Sequence, residues 1–278
     1  MTELQRVGAT LDLESIDTSA TPGFFGDKKD GQKALDAGVA EFADLQERLF
    51  AASRFGDTRR VLLVLQAMDT AGKGGIVKHV VGSVDPQGTH IHAFKKPTEE
   101  EMKHDFLWRV RNQLPEAGII GVFDRSHYED VLIARVRGFA EPGEIERRYG
   151  AINDFEARLA DQGVSIIKCM LHVGADEQKA RLAERLANPE KHWKYNPGDL
   201  DERAFWPAYR EAYETALERT STQIAPWHVV PSDKKWFRNL AVGELLHESL
   251  TGLDLGWPVA DFDVEHERAR LTSEKPVA

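Results

Sequence analysis

Hydrophobic residues recur along this chain with two different periods. Between Lys33 and Ala52, Leu35, Val39, Phe42, Leu45 and Leu49 fall at helical spacing. The pattern then changes to short apolar runs, Val61–Leu65, Ile91–Phe94, Ile119–Phe123, Ile166–Val173 and Trp227–Val230, separated by amphipathic stretches. Each run has the length of a buried strand, and the gaps leave room for crossover helices. The pattern predicts an α/β fold, a five-stranded parallel sheet with helices on both faces. A helix start is marked by Thr98 after Pro97, with Glu101 three residues on to close a capping box, and Met102, Phe106, Val110 and Leu114 as the apolar face. Asn188 to Arg203 breaks two helical patterns with Pro189, Pro197 and Gly198, and reads as a mobile lid hairpin or loop. Residues 1–30 are polar, carry Pro22, Gly23 and Gly26, and read as an arm outside the core. The remaining divisions are a domain over 31–260, with the lid at about 188–203, and a charged tail over 261–278.

Composition narrows the class. The 278 residues are 41% hydrophobic and 29% charged, the balance of a soluble globular domain. The longest aliphatic run, Val61–Leu65, is too short to cross a bilayer, and Met1–Thr10 carries no secretory pattern, so no membrane partner is expected. Cys169 is the single cysteine, which excludes an intrachain disulfide and fits a cytoplasmic setting. A formal net charge of -10 argues against nucleic-acid binding. One stretch departs from that balance: from Lys73 to Lys96 the only acid is Asp85, against Lys73, Lys78, Lys95 and Lys96. A polyanion fits there while the rest of the surface stays acidic.

The chemistry begins directly after the first parallel strand, at Ala67-Met68-Asp69-Thr70-Ala71-Gly72-Lys73-Gly74-Gly75. Strand, glycine-bearing loop, lysine and helix is the order a phosphate cradle requires. Backbone N–H groups over Thr70–Gly75 point at phosphate oxygens, Gly72 clears a side chain where the backbone must approach, and Lys73 supplies positive charge. Two positions depart from the general G-x-x-x-x-G-K-[S/T] pattern. Ala67 replaces the first glycine, and Gly74 replaces the hydroxyl residue that holds magnesium, which leaves Asp69 as the candidate metal ligand. A second acid, Asp124, ends the run Gly121-Val122-Phe123 at the strand end where ligands of open α/β sheets bind. Asp69 and Asp124 could share one hydrated Mg²⁺, with Arg125 forking onto a phosphate and Glu129 one turn beyond. The bland alternatives are a glycine-rich turn with solvated lysines, and an Asp124 that caps a helix and pairs with Arg125. His90 and His92 share a strand face without a third ligand nearby. Ser126-His127 lacks a nucleophile elbow, Cys169 reads as core, and Lys234-Lys235 as the surface start of a last helix.

Three motifs together resemble the family-2 polyphosphate kinases: the loop from Ala67 to Gly75, the run F-D-R-S-H-Y-E-D from Phe123 to Asp130, and K-H-W-K-Y-N-P-G-D-L from Lys191 to Leu200. The likeness spans about Lys28 to Ala260. It implies a P-loop kinase fold with a helical lid, and reversible phosphoryl transfer between inorganic polyphosphate and AMP, ADP or ATP with Mg²⁺ or Mn²⁺. It assigns Asp69, Lys73, Asp124 and Arg125 to the catalytic centre. Polyphosphate has no ring or base to read, so Lys73, Lys78, Arg125, Lys95 and Lys96 suit a cationic groove for it. The lid then carries Lys191, Trp193 and Lys194, with Arg181 and Arg185 on one helix face just before it. Those arginines either clamp phosphates or sit on a solvated face with Glu177 and Glu184; Trp193 either stacks on a base or packs at the hinge. Glu129 after Tyr128, where other subgroups carry Asn, resembles the third class, which accepts both mono- and diphosphates. The resemblance also implies a dimer or tetramer. An ATP-dependent kinase on the same fold would show a hydroxyl after Lys73, and a non-catalytic binding module has no need of both Asp69 and Asp124.

Overall fold

The computed structural model describes residues 3–274. Its centre is a six-stranded sheet built from β1 (Gln5–Arg6), β2 (Arg60–Ala67), β3 (Thr89–Ala93), β4 (Ile120–Asp124), β5 (Val164–His172) and β6 (Trp227–Pro231), in the order β1-β6-β5-β2-β4-β3. The five expected strands are all present and parallel, and β1 adds a short antiparallel edge beside β6.

Alternation along β2 explains the layering. Leu62 and Val64 face one side, where helices α5 (Pro142–Asp161) and α8 (Trp206–Thr220) bring Tyr149, Ile152, Phe155, Ala216 and Leu217. Val61, Leu63 and Leu65 face the other, covered by α1 (Lys28–Ser53) and α9 (Lys235–Gly252) through Phe42, Leu49, Phe237, Val242 and Leu246. A strand covered on both faces reads as an unbroken apolar run, and so β2 and β5 were visible in the sequence. Cys169 lies fully buried in the second of these layers.

Four expectations need correction. The first 30 residues are not outside the core: Val7, Leu11 and Leu13 are buried. Glu218 and Glu214 on α8 accept from the backbone N–H of Leu11 and Leu13, at 2.6 and 2.9 Å, and β1 pairs with β6. The first helix also begins earlier, at Lys28, because Asp27 and Asp30 form a capping box. The third strand is an exposed edge, with Ile91 47% exposed and only Phe94 beyond its end buried. The capping box of Thr98 and Glu101 exists, but the helix it opens lasts one turn, Glu101–Lys103. His104 turns extended and Asp105 re-caps the chain through Leu107 N–H, so only a short α3 (Trp108–Arg111) follows, as short as α4 (Ile133–Val136) beyond β4, and Met102 stays exposed. Of the expected arm and tail, residues 1–2 and 275–278 lie outside the described residues. Helix α10 (Val264–Ser273) carries no buried side chain. Among the described residues no helix is long and apolar enough to cross a membrane.

The sequence pattern concealed one feature. Lys168, in the middle of β5, is completely buried. Its ammonium donates to Glu156 Oε2 at 2.6 Å, Tyr128 Oη at 2.9 Å and the Thr220 carbonyl at 2.7 Å. Burial works against the Glu156 charge, but Lys168 and His127 hold this carboxyl below its ordinary value. Removing one partner of a buried pair strands the other charge, which costs far more than the pair contributes. Glu156→Ala is therefore expected to lower stability by about 3–5 kcal/mol in chemical denaturation. The double change Glu156→Met with Lys168→Met is expected to recover most of that loss.

Candidate active site

The register of β2 against β4 sets the site. Leu65 lies opposite Asp124, so the loop leaving β2 and the acid ending β4 open at the same edge of the sheet. β3 runs parallel beside them with Ala93 opposite Asp124, which brings exposed Lys95 and Lys96 out at that edge too. Both chains leave their strands in a left-handed turn, with φ of 63° at Thr70 and 64° at Arg125. Arg125 N–H returns to the Leu65 carbonyl at 3.0 Å, which locks the two exits together.

Within this edge the four expected catalytic side chains meet. Arg125 Nη2 donates to Asp69 Oδ1 at 2.9 Å, and Lys73 Nζ stands 3.9 Å from Asp124 Oδ1. Burial works against the Arg125 charge, but Glu129, Asp69 and Asp124 hold the guanidinium firmly protonated. Glu129 faces the same centre. Burial raises its carboxyl above the ordinary value, against the pull of Arg125 and Lys73. Beneath the second motif, Ser126 Oγ caps Tyr128 N–H at 3.2 Å, and His127 Nε2 and Tyr128 Oη both reach Glu156 Oε1, at 3.2 and 2.8 Å. Ser126 and His127 are thus supports of the turn, tied to the Lys168 network.

The phosphate loop is held from behind. Helix α2 (Lys73–His79) follows Gly72, whose φ of 113° suits glycine. Arg181, on α6 (Ala175–Ala187), does not point outward from the loop. It is buried, donates to the carbonyls of Thr70, Ala71, Ser232 and Asp233, and pairs with Glu177 at 2.8 Å. Gln178 Nε2 holds the Asp69 carbonyl at 2.8 Å. Arg238, on the first turn of α9, lies against the loop from the other side and donates to the Ala71 carbonyl at 2.9 Å. A Cβ at Gly72 or Gly75 would run into its guanidinium, whereas one at Gly74 meets nothing. Lys78 lies exposed on α2. Gln178 and Arg238 were not visible in the sequence, since their contacts span over a hundred residues.

The lid segment is helical: a turn over Pro189–Lys194, then α7 (Pro197–Glu202), started by Asn188 and Asn196 caps on Glu190 and Gly198 N–H, both at 3.0 Å. Arg185 donates to the Lys194 carbonyl at 2.9 Å and stands 3.4 Å from Asp199 Oδ2. Asp199, in the lid, is within reach of the charges of Asp69, Arg125 and Lys73; burial and the Asp69 charge raise its carboxyl. Lys191 pairs with Glu184. Trp193 is 79% exposed, with Lys194 Nζ 4.9 Å from its ring centre, so neither packs into a hinge here.

The chain is similar to known proteins over most of its length. The family model described as Polyphosphate kinase 2 (PPK2) matches residues 26–254. An AMP/ADP-polyphosphate phosphotransferase of Meiothermus ruber is 44% identical over 248 residues, 89% of this chain and 91% of that protein. An ADP-polyphosphate phosphotransferase of Rhodopseudomonas palustris is 39% identical over 263 residues, 90% of this chain and 89% of its own. The crystal structure of polyphosphate kinase 2 from Arthrobacter aurescens TC1 superposes with a TM-score of 0.95 at 59% identity, covering 97% of this chain and 95% of that one.

Asp130, beside Glu129, gives a pH-dependent test. Burial lifts its carboxyl from 3.8 to about 6, although Arg148 and Arg109 pull it down. Its folded value exceeds its unfolded one, so the folded state binds the proton more tightly. Ionisation then costs stability as pH rises from about 4 through about 6. Asp130→Asn is expected to be more stable than the parent by about 1–3 kcal/mol above about pH 7, with the difference vanishing below about pH 4. Thermal melts across that range measure it.

Proposed function

The chain belongs to the polyphosphate kinase 2 family, and on that premise we propose that it moves a phosphoryl group reversibly between inorganic polyphosphate and both AMP and ADP. The observation that carries this reading is the meeting of Asp69, Lys73, Asp124 and Arg125 at one sheet edge. The attacking group is a terminal phosphate oxygen of the nucleotide, already anionic, so no strong general base is needed. Catalysis then rests on alignment and charge neutralisation. Lys73 and Arg125 are the cations for the phosphates. In the structure each leans on a carboxylate, Lys73 on Asp124 and Arg125 on Asp69. A phosphate chain competes for both cations and leaves both acids free.

Those two acids fit Mg²⁺ or Mn²⁺ as this reading requires. Such ions take a few carboxylates and complete their shell with phosphate oxygens and water. Among the described residues no group of three or more His, Cys, Asp or Glu side chains gathers to hold a metal. Its contribution when bound is to neutralise phosphate charge. Glu129 supports acceptance of both acceptors, because it faces both Arg125 and Lys73 while half-buried. The Meiothermus ruber relative, named for both AMP and ADP, supports the same point. The reading includes a cytoplasmic homo-oligomer, a dimer or tetramer. The exposed side chains of Trp257, Val259 and Phe262 supply apolar surface for assembly.

The deciding assay measures ATP formed from ADP plus polyphosphate, and ADP and ATP formed from AMP plus polyphosphate, with and without Mg²⁺ and with no ATP supplied. Product is expected from both acceptors and only with metal. Asp69→Asn and Asp124→Asn are each expected to cut turnover on the order of 100-fold or more while the far-ultraviolet spectrum is unchanged. Near-normal turnover in a folded variant removes that residue from the metal site. Glu129→Asn is expected to shift the AMP-to-ADP acceptor ratio, and an unchanged ratio sinks its role in acceptor choice.

A further inference from the structure

Four cationic side chains are buried among the described residues: Arg109, Lys168, Arg181 and Arg238. Three have a carboxylate. Lys168 pairs with Glu156 at 2.6 Å, Arg181 with Glu177 at 2.8 Å, and Arg109 stands 3.7 Å from Glu101. Arg238 is the exception. It is 3% exposed, and its guanidinium is satisfied by neutral acceptors only: the Ala71 carbonyl at 2.9 Å and Asn239 Oδ1 at 2.8 and 3.2 Å. Burial, and then the neighbouring Arg181 charge, bring it down to about 10. A buried ion without a counter-ion is costly, and a fold keeps one only where something else supplies the opposite charge.

Bracing the loop does not account for it. The Ala71 carbonyl that Arg238 binds is already held by Arg181 at 3.0 Å. The hydrogen bond is duplicated, but the charge is not compensated. The guanidinium lies directly behind Gly72 and Gly75, the two glycines whose missing side chains make room for it. We propose that Arg238 is the fixed counter-charge for the condensed phosphate chain on the loop, acting from behind the backbone of Ala71–Gly75 as a positioning residue. This inference rests on the functional reading above, and extends it to a residue outside the three sequence motifs.

Asn239→Asp provides the test, because it is isosteric and places a carboxylate where Asn239 already accepts from Arg238. Its melting temperature is expected to rise while its affinity for tripolyphosphate or ADP falls about tenfold. Arg238→Met is expected to weaken the same ligand by about tenfold or more and to flatten its salt dependence, and Arg238→Lys to stay within about threefold of the parent. Tripolyphosphate and ADP are titrated separately by calorimetry at two salt concentrations. Loss confined to tripolyphosphate assigns the loop to the donor, and loss confined to ADP assigns it to the nucleotide's phosphates; either upholds the counter-charge. Affinity for both ligands within about twofold of the parent in Asn239→Asp overturns it, as do equal losses in the Lys and Met variants. If Arg238→Met does not fold, Asn239→Asp and Arg238→Lys still decide. Binding needs no turnover, so the AMP-plus-polyphosphate assay on the unaltered protein tests the underlying reading separately.

Discussion

The pairing of Leu65 with Asp124 across β2 and β4 is the constraint from which the site follows. Side chains alternate along a strand, so register decides both which face a residue occupies and how far along the edge its strand ends. With this register, a loop of a few residues carries Asp69 and Lys73 to the level of Asp124 and Arg125. A slip of one residue would move Asp124 to the apolar face that Phe123 fills and Phe123 to the layer on the opposite face. The hydrogen bond from Arg125 N–H to the Leu65 carbonyl fixes the register at the point of use. Two left-handed non-glycine residues, Thr70 and Arg125, store strain of about 1–3 kcal/mol each beside it. That strain persists because the layers on both faces of the sheet over-determine the strand positions.

Charge is buried on both sides of this edge, with opposite logic. Beneath the second motif, Lys168 meets Glu156, Tyr128 and Thr220, a set in which the buried ammonium and the buried carboxylate are both paired. It ties β5, α5, α8 and the turn after β4 into one unit, so Arg125 and Glu129 project from a rigid base. Behind the phosphate loop, Arg181 and Arg238 bind carbonyls, which turns the C=O groups inward. The first set is neutral overall and serves stability. The second leaves positive charge behind a loop that must hold an anion.

The parts legible in the sequence were those decided by short range. Val61–Leu65 and Ile166–Val173 lie on central strands with both faces covered, so their apolar runs had one reading. The loop and the F-D-R-S-H-Y-E-D run carry their chemistry in consecutive residues. Local signals failed where tertiary partners overrode them. The arm looked polar because Val7, Leu11 and Leu13 are scattered among charges, yet Glu214 and Glu218 draw its backbone onto α8. The capping box at Thr98 was read correctly, but Asp105 offered a competing cap one turn later and the helix stopped. Lys168 was hidden inside an apolar run because its counter-ion is on another element.

The loop glycines show how a correct motif carries an incomplete cause. In the sequence, Gly72 is explained from the ligand side: backbone must approach a phosphate, so a side chain is excluded. The positive φ at Gly72 adds a backbone reason. Arg238 supplies a third, from the protein side, and it also covers Gly75, whose backbone needs no special angle. Gly74, between them, meets nothing and is free of that constraint. The spacing of the two constrained glycines thus matches the footprint of one guanidinium. A chain that keeps Gly72 and Gly75 leaves room for the guanidinium in the position it takes here.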